Sequence, residues 1–249
     1  MDDLRGFQEE LAATLAAGGR DAPRRIVEVC LARLPVTGAG ITVMSDPNRQ
    51  EPVWASDGVA ARIDELQFRL AEGPCVDAFM LRRTVLVADI ADVAETRWPM
   101  FAAAARETSA RGMIVLPLRT GELYVGVLDF YRDRPGLLEP EELAAASRAA
   151  DAAFWSLLGL RRGHSLDDEG MPVGDLRNAS DPHGWLTGLP LERTEVYQAT
   201  GMVSAQLDVS PDTALARLRA YAFVHDLPIG DVARDVVARR LRFHPGDDE

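Results

Sequence analysis

The chain opens with two stretches in which apolar residues recur every three or four positions, as on one face of a helix. The first stripe consists of Leu4, Phe7, Leu11 and Leu15, and the second of Ile26, Val27, Cys30, Leu31 and Leu34. Two strand-like runs follow, GAGITVMS at 38–45 and PVWASD at 52–57, with the turn-forming DPNRQ between them. The pattern predicts two helices and then a β-hairpin.

The middle of the chain alternates between helical and strand-like spacing. We expect helices at 61–70, 75–83, 98–110 and 140–160, and strands at 84–90, 112–118 and 122–132. The last two strands are joined by Arg119-Thr120-Gly121, a link of hairpin length. Adjacent strands with such short links pair antiparallel. Residues 1–160 are therefore predicted to form an α+β domain, an antiparallel sheet with helices packed on it.

The pattern changes twice more before the end of the chain. Residues 161–189 show no periodicity and are rich in glycine, proline and acids, which indicates a linker. Helical spacing returns at 190–243, where Ser210-Pro211-Asp212 supplies an N-cap, a first-turn proline and an early acid. We predict a small three-helix bundle there, followed by an acidic tail at 244–249.

Length and composition fit a globular protein without a membrane segment. The 249 residues are 47% apolar, which is enough for a sizeable core. No run of about 18 apolar residues occurs. The N-terminus, MDDLRGFQEELAATL, lacks the basic and then apolar regions of a signal peptide. We therefore expect a cytoplasmic protein with no membrane partner.

Cysteine and histidine are sparse. Cys30 and Cys75 are too few for a disulfide framework, and we interpret them as two free buried thiols, although the sequence leaves a pairing open. All four histidines lie beyond residue 160, so residues 1–160 offer no imidazole to a haem iron. We predict no metal and no cofactor.

The net charge is −12, and every basic residue is an arginine. Arginine is the better planar partner for phosphates and bases, but arginine-only usage also follows from genomic base composition. Overall acidity weakens a general nucleic-acid interpretation, because non-specific affinity comes from neutralising phosphates. The arginines of the C-terminal part cluster on a few turns, at 217 and 219 and again at 239, 240 and 242.

The first 160 residues resemble the GAF family of small-molecule sensor domains. The segments that carry the resemblance are, in order, GAGITVMS, LAEGPCVDAF, VLVADI, RWPMFAAAA, VLPL and YVGVLDFY. The EGPC-x-DA form at 72–78, with RWP-x-F at 97–101, is similar to actinobacterial GAF domains. The resemblance implies a ligand pocket between the sheet and its covering helices.

Seven residues are candidates for lining that pocket: Trp54, Phe68, Cys75, Phe79, Trp98, Phe101 and Tyr131. The alternative is that they are core residues of a domain that binds no ligand and serves only for dimerisation. Dimerisation itself is predicted from the long helix at 140–160, whose apolar stripe carries Leu143, Ala146, Ala150, Phe154, Leu157 and Leu158.

Residues 190–243 resemble the ANTAR family, three-helix RNA-binding modules of transcription antiterminators. The matching blocks are QATGMV at 198–203, LDVSPDTALARLRAYA at 207–222 and DVARDVVARRL at 231–241. The resemblance implies a regulator whose N-terminal sensor controls binding to nascent RNA. Many family members carry lysine or arginine where this chain has Thr200.

The residues expected to contact RNA are Gln198, Thr200, Gly201, Arg217, Arg219 and Tyr221. Gly201 is unusual, because glycine inside a helix costs about 1 kcal/mol relative to alanine. Its missing side chain allows another backbone to come close, either a neighbouring helix of the bundle or RNA. The alternative function is a sensor or dimerisation protein whose C-terminal bundle binds protein and not RNA.

We do not expect an enzyme. Glu72, Asp77, Asp89 and Asp129 are the acids nearest to an acid–base pattern, but they fall on different predicted elements without a base, a metal motif or a phosphate loop. Roles at helix starts and strand edges explain them better. The thiol of Cys75 follows Gly73-Pro74 at a helix start, where a thiolate is favoured, yet a small buried hydrophobic role is preferred.

Overall fold

A computed structural model describes residues 2–164 and 193–244 of the chain. The described residues fall into two compact units. The first contains the residues up to Gln67 and those from Ala71 to residue 164, and the second contains Phe68–Leu70 and the C-terminal helices. The predicted linker beyond residue 164 and the acidic tail beyond residue 244 lie outside the described residues.

The first unit alternates helices and strands much as the periodicity predicts. Its helices are α1 (Asp2–Ala17), α2 (Ala22–Arg33), α3 (Gly58–Leu70), α4 (Pro74–Leu81), α5 (Pro99–Ala105) and α6 (Pro140–His164). Its strands are β1 (Gly38–Asp46), β2 (Arg49–Ala55), β3 (Val85–Val87), β4 (Gly112–Thr120) and β5 (Leu123–Arg132).

The five strands form one antiparallel sheet in the order β2-β1-β5-β4-β3. β1 and β5 are the long central pair, with Ile41 opposite Leu128 and Gly40 opposite Asp129. Because side chains alternate along a strand, neighbouring positions of this pair face opposite sides of the sheet. The predicted α+β architecture is confirmed.

One face of the sheet is covered by α2 and α6, with α1 packed against both helices. Ile41, Leu128 and Phe130 supply buried side chains to this core from the sheet. The apolar stripe of α6 enters the same core, and its members at 146, 150, 154, 157 and 158 are buried there. The stripe that predicted a dimer contact is therefore used inside the protomer.

The other face of the sheet is covered by α4, which packs on β3, β4 and β5. Asp57 is the N-cap of α3, and its Oδ1 accepts hydrogen bonds from the backbone N–H groups of Val59 (2.9 Å) and Ala60 (2.8 Å). This N-cap satisfies donors that the first turn of a helix leaves unpaired. On this face the sheet presents Thr42 and Asp129, both polar and both buried.

The second unit is a bundle of α7 (Thr194–Leu207), α8 (Pro211–Val224) and α9 (Ile229–Val237). Ser210 caps α8 by accepting a hydrogen bond from the Thr213 N–H at 3.2 Å, as its sequence context predicts. The core of the bundle includes Val196, Ala199, Val203, Leu215, Leu218, Val232 and Val236. In the described parts of both units, no helix is long and apolar enough to cross a membrane.

Candidate functional site

Two glycines of β1 make room for two polar side chains of β5. Gly38 lies opposite Tyr131 in the antiparallel register, and Gly40 lies opposite Asp129. A Cβ atom at position 38 would lie 2.2 Å from Tyr131 Cε1, and one at position 40 would lie 2.9 Å from Asp129 Oδ2. The sheet therefore accepts these side chains on its α4-covered face because β1 carries no side chain beside them.

Tyr131 is anchored at one end of this strip. Its hydroxyl donates to Asp57 Oδ2 at 2.9 Å, so the carboxylate that caps α3 also holds a strand residue. Burial, together with the hydrogen bond to Asp57, raises the pKa of the Tyr131 hydroxyl. Tyr131 was predicted to line a pocket. In the structure its hydroxyl connects β5 to the N-cap residue of α3.

Asp129 lies deeper, at 4% exposure, in the centre of the sheet. Burial is the main cause that raises its pKa to about 8, and the nearby Asp64 carboxylate adds to the effect. Asp64 projects from α3 and accepts a hydrogen bond from the Thr42 hydroxyl at 2.9 Å. The expectation that Asp129 is a strand-edge acid is wrong, because β5 pairs on both sides, with β1 and β4.

Cys75, in the first turn of α4, lies near Asp129. Gln67 of α3 fixes it twice: its Oε1 accepts from the Cys75 N–H at 2.7 Å, and its Nε2 lies 3.1 Å from the sulfur. Burial and the negative charge of Asp129 raise the pKa of the Cys75 thiol well above its ordinary value. Both Cys75 and Cys30 are free and buried, and burial raises the pKa of Cys30 to about 12. Neither sulfur is a thiolate nucleophile near neutral pH.

The aromatic candidates do not converge on one pocket. Trp54 lies opposite Ile41 and packs against the α2 and α6 core, so its side chain is on the other face of the sheet. Phe68 is fully buried and groups with the second unit. Trp98 and Phe101 are buried in edge-to-face contact, with ring centroids 6.5 Å apart, while Phe79 is half-buried on α4.

Two more of the four acids considered for catalysis, Glu72 and Asp89, accept hydrogen bonds from backbone N–H groups. Glu72 Oε1 accepts from the Phe101 N–H at 2.7 Å, at the start of α5, and Asp89 Oδ1 accepts from the Ala91 N–H at 2.9 Å. Asp77 lies in the first turn of α4. The described residues contain no group of three His, Cys, Asp or Glu side chains that could hold a metal ion.

In the C-terminal bundle, Gly201 faces open space. A Cβ atom added to Gly201 would meet no heavy atom within 4 Å, and both Gly201 and Gln198 are exposed on α7. Tight packing against a neighbouring helix of the bundle, one of the two reasons considered for this glycine, is therefore wrong. The surface of α7 at Gln198 and Gly201 is accessible to another molecule.

Two residues expected to contact RNA are buried instead. Thr200 is 7% exposed, and its hydroxyl donates to the Val196 carbonyl at 2.7 Å, within its own helix. Arg219 on α8 is 8% exposed. In this structure neither side chain lies on the surface, so a nucleic-acid contact from them would require a rearrangement.

The remaining candidates, Arg217 and Tyr221, lie half-buried on α8. The Tyr221 ring stacks on His225, with centroids 3.9 Å apart, and meets the edge of Phe243 at 5.6 Å. Near the end of the bundle, Arg239, Arg240 and Arg242 are exposed, and Arg240 forms a salt bridge with Asp235 at 2.6 Å.

Comparison with known families identifies the domain family of each unit. A family model described as a GAF domain matches residues 21–153, more than half of the chain. The chain belongs to the GAF domain family. An ANTAR domain model matches residues 190–237, so an ANTAR domain follows the GAF domain. Both resemblances seen in the sequence are confirmed. Both are regulatory domains. A search of curated proteins finds no match.

One solved GAF domain supports the GAF fold, and two further structures align with lower scores. The GAF domain of a phosphoenolpyruvate-protein phosphotransferase from Coxiella burnetii aligns with a TM-score of 0.50 at 16% identity, covering 66% of this chain and 95% of that one. A domain of a putative two-component sensor histidine kinase from Sinorhizobium meliloti gives 0.47 at 16% identity, covering 58% and 94%. Free methionine-R-sulfoxide reductase from Neisseria meningitidis gives 0.45 at 17% identity, covering 66% and 95%. At 16% identity, the likeness to the Coxiella burnetii domain concerns the fold alone.

The residues missed by sequence reasoning in the GAF domain are Thr42, Asp64 and Gln67, which join Cys75 and Asp129 in one buried polar cluster. A signal for it exists in the sequence. The glycines of GAG at 38–40 alternate on β1 and stand opposite the aspartate and the final tyrosine of YVGVLDFY on β5. Two alternating glycines in a strand interior often mark a close approach, which here is that of side chains.

A shallow groove of about 250 Å³ lies between α1 and α6 of the GAF domain. It is lined by Gln8, Leu11, Ala12, Leu15, Arg148, Asp151, Ala152 and Trp155. Trp155 is 48% exposed, although its ring edge touches Phe154 in the core. The groove combines an exposed aromatic anchor with one basic and one acidic side chain.

Proposed function

We propose that this protein is a cytoplasmic, RNA-binding transcription antiterminator in which a GAF sensor domain, through a small-molecule ligand, controls an ANTAR domain. It is not an enzyme in this proposal, since both thiols are buried and the acids are structural or unsuited to proton transfer at a surface site. The observation that carries the proposal is the ANTAR match at 190–237, together with the open α7 surface at Gly201.

The RNA surface is proposed to include Gln198, Gly201, Arg217 and Tyr221. Single-stranded RNA loops are recognised by stacking and hydrogen bonding to splayed bases, supported by arginine. An exposed glycine next to a glutamine amide permits close approach of a sugar–phosphate backbone, with a polar group at hand. Thr200 and Arg219 remain in the proposal as residues that support this surface from beneath, since both are buried in the bundle.

A titration of the full chain with a tandem-hairpin RNA from beside its own operon tests this function. Arg217→Ala is expected to weaken binding and to lower the salt dependence by about one phosphate contact. Arg62→Ala, which removes an exposed arginine of α3, is the control and should bind as the wild type does. If neither the wild type nor the variants retain any such RNA, the proposal fails.

A second candidate is a protein partner for the ANTAR domain. The end of α8 and the following turn expose three large apolar side chains, Phe223 at 49%, Val224 at 75% and Leu227 at 37%. Contiguous exposed apolar patches mark protein–protein interaction sites. Phe223→Ser that leaves RNA affinity intact but abolishes capture of a protein partner would favour this alternative.

We also propose a homodimer formed through the groove between α1 and α6. A two-fold interface uses the same patch on both copies, so it must complement itself. A patch carrying Arg148, Asp151 and Trp155 meets this condition, because the base of one copy faces the acid of the other. The α6 apolar stripe is unavailable for this contact, since it is buried within the protomer.

A further inference from the structure

Three arginines follow the end of α9 and are not part of the proposed RNA surface. Arg239, Arg240 and Arg242 all expose their side chains. Arg240 is engaged within the bundle, because its guanidinium forms a salt bridge with Asp235 at 2.6 Å. Arg239 and Arg242 form no hydrogen bond, salt bridge or ring contact within residues 2–164 and 193–244. Because arginine is always protonated, the ANTAR domain presents two positive charges here to solvent.

The turn after α9 is a Schellman motif with an arginine at the position that usually holds glycine. The Arg240 N–H donates to the Asp235 carbonyl at 2.8 Å, and the Arg239 N–H donates to the Val236 carbonyl at 2.9 Å. Arg239 has a φ of 60°, in the left-handed region. A residue with a side chain adopts this conformation at a cost in free energy that glycine avoids. The fold therefore holds Arg239 in an unfavourable backbone conformation.

Other helix ends of the chain use the left-handed conformation differently. α7 is followed by Asp208, and aspartate tolerates this conformation better than most residues with a side chain. At the end of α4, Arg82 is also left-handed, but its guanidinium forms a salt bridge with Glu122 and lies over the Tyr124 ring. Arg239 has the same backbone cost without such a contact among the described residues. A local rule that is broken without a structural gain points to a functional role.

Arg242 is held in place by the residues on both sides of it. Leu241 packs against the core of the bundle, and Phe243 is buried at 8% exposure. The Phe243 N–H also donates to Gln206 Oε1 of α7 at 3.0 Å. The backbone at residue 242 is therefore anchored while the side chain is exposed. Such preorganisation reduces the entropy that is lost when the side chain binds a partner.

These arginines adjoin the proposed RNA surface. The ring of Phe243 meets the ring of Tyr221, with centroids 5.6 Å apart, and Tyr221 belongs to that surface. Arg242 directly precedes Phe243 in the chain. An RNA base that reaches Tyr221 therefore brings its flanking phosphates to the part of the bundle that carries Arg242.

We propose that Arg239 and Arg242 bind backbone phosphates of the RNA strand whose base reaches Tyr221. This inference rests on the proposed antiterminator function and assigns a phosphate subsite to it. A guanidinium presents paired N–H donors that match a phosphate. Because the net charge of the chain is −12, attraction for RNA has to come from local positive sites such as this one.

The test measures the affinity of the full chain for tandem-hairpin RNA between about 50 and about 200 mM salt. Each contact to a single-stranded phosphate contributes about 0.7 to the slope of log affinity against log salt, so two contacts account for about a sevenfold loss over this range. The double variant Arg239→Gln with Arg242→Gln should bind more weakly at the lower salt and should lack that sevenfold loss. Arg62→Gln with Arg83→Gln removes two exposed arginines of the GAF domain and should behave as the wild type does.

Single substitutions at residue 239 separate a phosphate contact from a structural role in the turn. Arg239→Lys keeps the charge and should keep the wild-type salt slope, whereas Arg239→Gln should lower it by about 0.7. Arg239→Gly relieves the left-handed conformation, so we expect a higher urea midpoint together with RNA binding as weak as that of Arg239→Gln. An unchanged slope in Arg239→Gln with a lower midpoint in Arg239→Gly would identify a structural arginine and overturn the proposal.

Phosphate contacts carry no sequence information, so the double variant should weaken binding by the same factor for an RNA with one substituted loop base. A factor that changes with the loop base would mean that the arginines recognise bases, which contradicts the proposal.

Failure of this inference and failure of the proposed function give different results. If the double variant binds tandem-hairpin RNA with the wild-type affinity and salt slope, the phosphate subsite is wrong and the antiterminator assignment stands. If the wild type retains no such RNA, the antiterminator assignment is wrong and the subsite falls with it.

Discussion

Replacing Asp129 with asparagine isolates the free energy of one buried carboxyl group. The amide has nearly the same shape, so it fits the space beside Gly40, but it cannot ionise. The pKa of Asp129 is raised from an ordinary 3.8 to about 8, first by burial and then by Asp64. Cys75 of α4 is a further titratable group near it, and its own pKa is raised well above the ordinary value.

The sign of the effect follows from proton binding. Above about pH 4 the unfolded chain loses the Asp129 proton, while the folded protein keeps it until about pH 8. Stability contributed by this group is therefore complete in acid and is lost as the pH rises to about 8. The two pKa values differ by an amount equivalent to about 6 kcal/mol, of which about 4 kcal/mol falls between pH 5 and pH 9.

The wild type should thus lose about 4 kcal/mol of unfolding free energy between pH 5 and pH 9 that Asp129→Asn does not lose. The difference in unfolding free energy between the variant and the wild type should grow by that amount over this range. Urea unfolding followed by circular dichroism at half-unit pH steps measures this difference, and Asp133→Asn is the exposed control. A difference between Asp129→Asn and the wild type that does not change with pH would refute the reasoning. Such a result would mean that the carboxylate is solvated or paired in the folded protein.

Three further predictions follow from exposed and buried positions. Gly201→Ala and Gly159→Ala should each raise the unfolding free energy by up to about 1 kcal/mol, because both glycines are helical and face open space. Under the proposed function, only Gly201→Ala lowers the affinity for RNA. Equal RNA affinity of the two variants would exclude close approach of RNA at residue 201. Trp155→Glu should shift the chain to monomer in light scattering at micromolar concentration, whereas Val93→Glu, at an exposed position outside the groove, should not. The two buried cysteines should react with a thiol reagent at least about 100-fold more slowly in the native protein than in urea, and a fast native phase would contradict their burial.

Periodicity predicted the secondary structure well because the two units use strong, local signals. The strand pairs at 38–57 and 112–132, the capped start of α8 and the long α6 all appear where the sequence places them. Boundaries moved by a few residues, as in β3, which spans Val85–Val87 within the expected strand at 84–90. The local code does not specify where pairing along an edge strand stops.

Side-chain partners were harder to predict, because they depend on contacts between distant elements. Trp54 is a strand residue with an aromatic ring, and nothing in its neighbourhood says which face of the sheet it occupies. The register with Ile41 decides that, and it places the ring against α2 and α6. The same limitation applies to α6, whose apolar stripe is equally suited to a protomer core and to a dimer contact.

The buried polar cluster could not be predicted from the sequence for a different reason. Asp129 sits in an apolar strand, where a single acid is usually assigned to an edge. Its burial becomes evident only when β1 and β5 are paired, which brings Gly40 to its side. Gly201 is the reverse case, since the absence of a side chain could be noticed in the sequence but its surroundings could not.

The pairing of Gly40 with Asp129 also constrains how this sensor can diverge. A methyl group at position 40 would collide with the carboxylate, so a larger residue there becomes acceptable only after the acid has been lost. Loss of the acid comes first, and with it the titratable carboxyl group at the centre of the sheet. The order of these two changes would make the loss hard to reverse, because once β1 has filled the space, an aspartate can no longer return to β5.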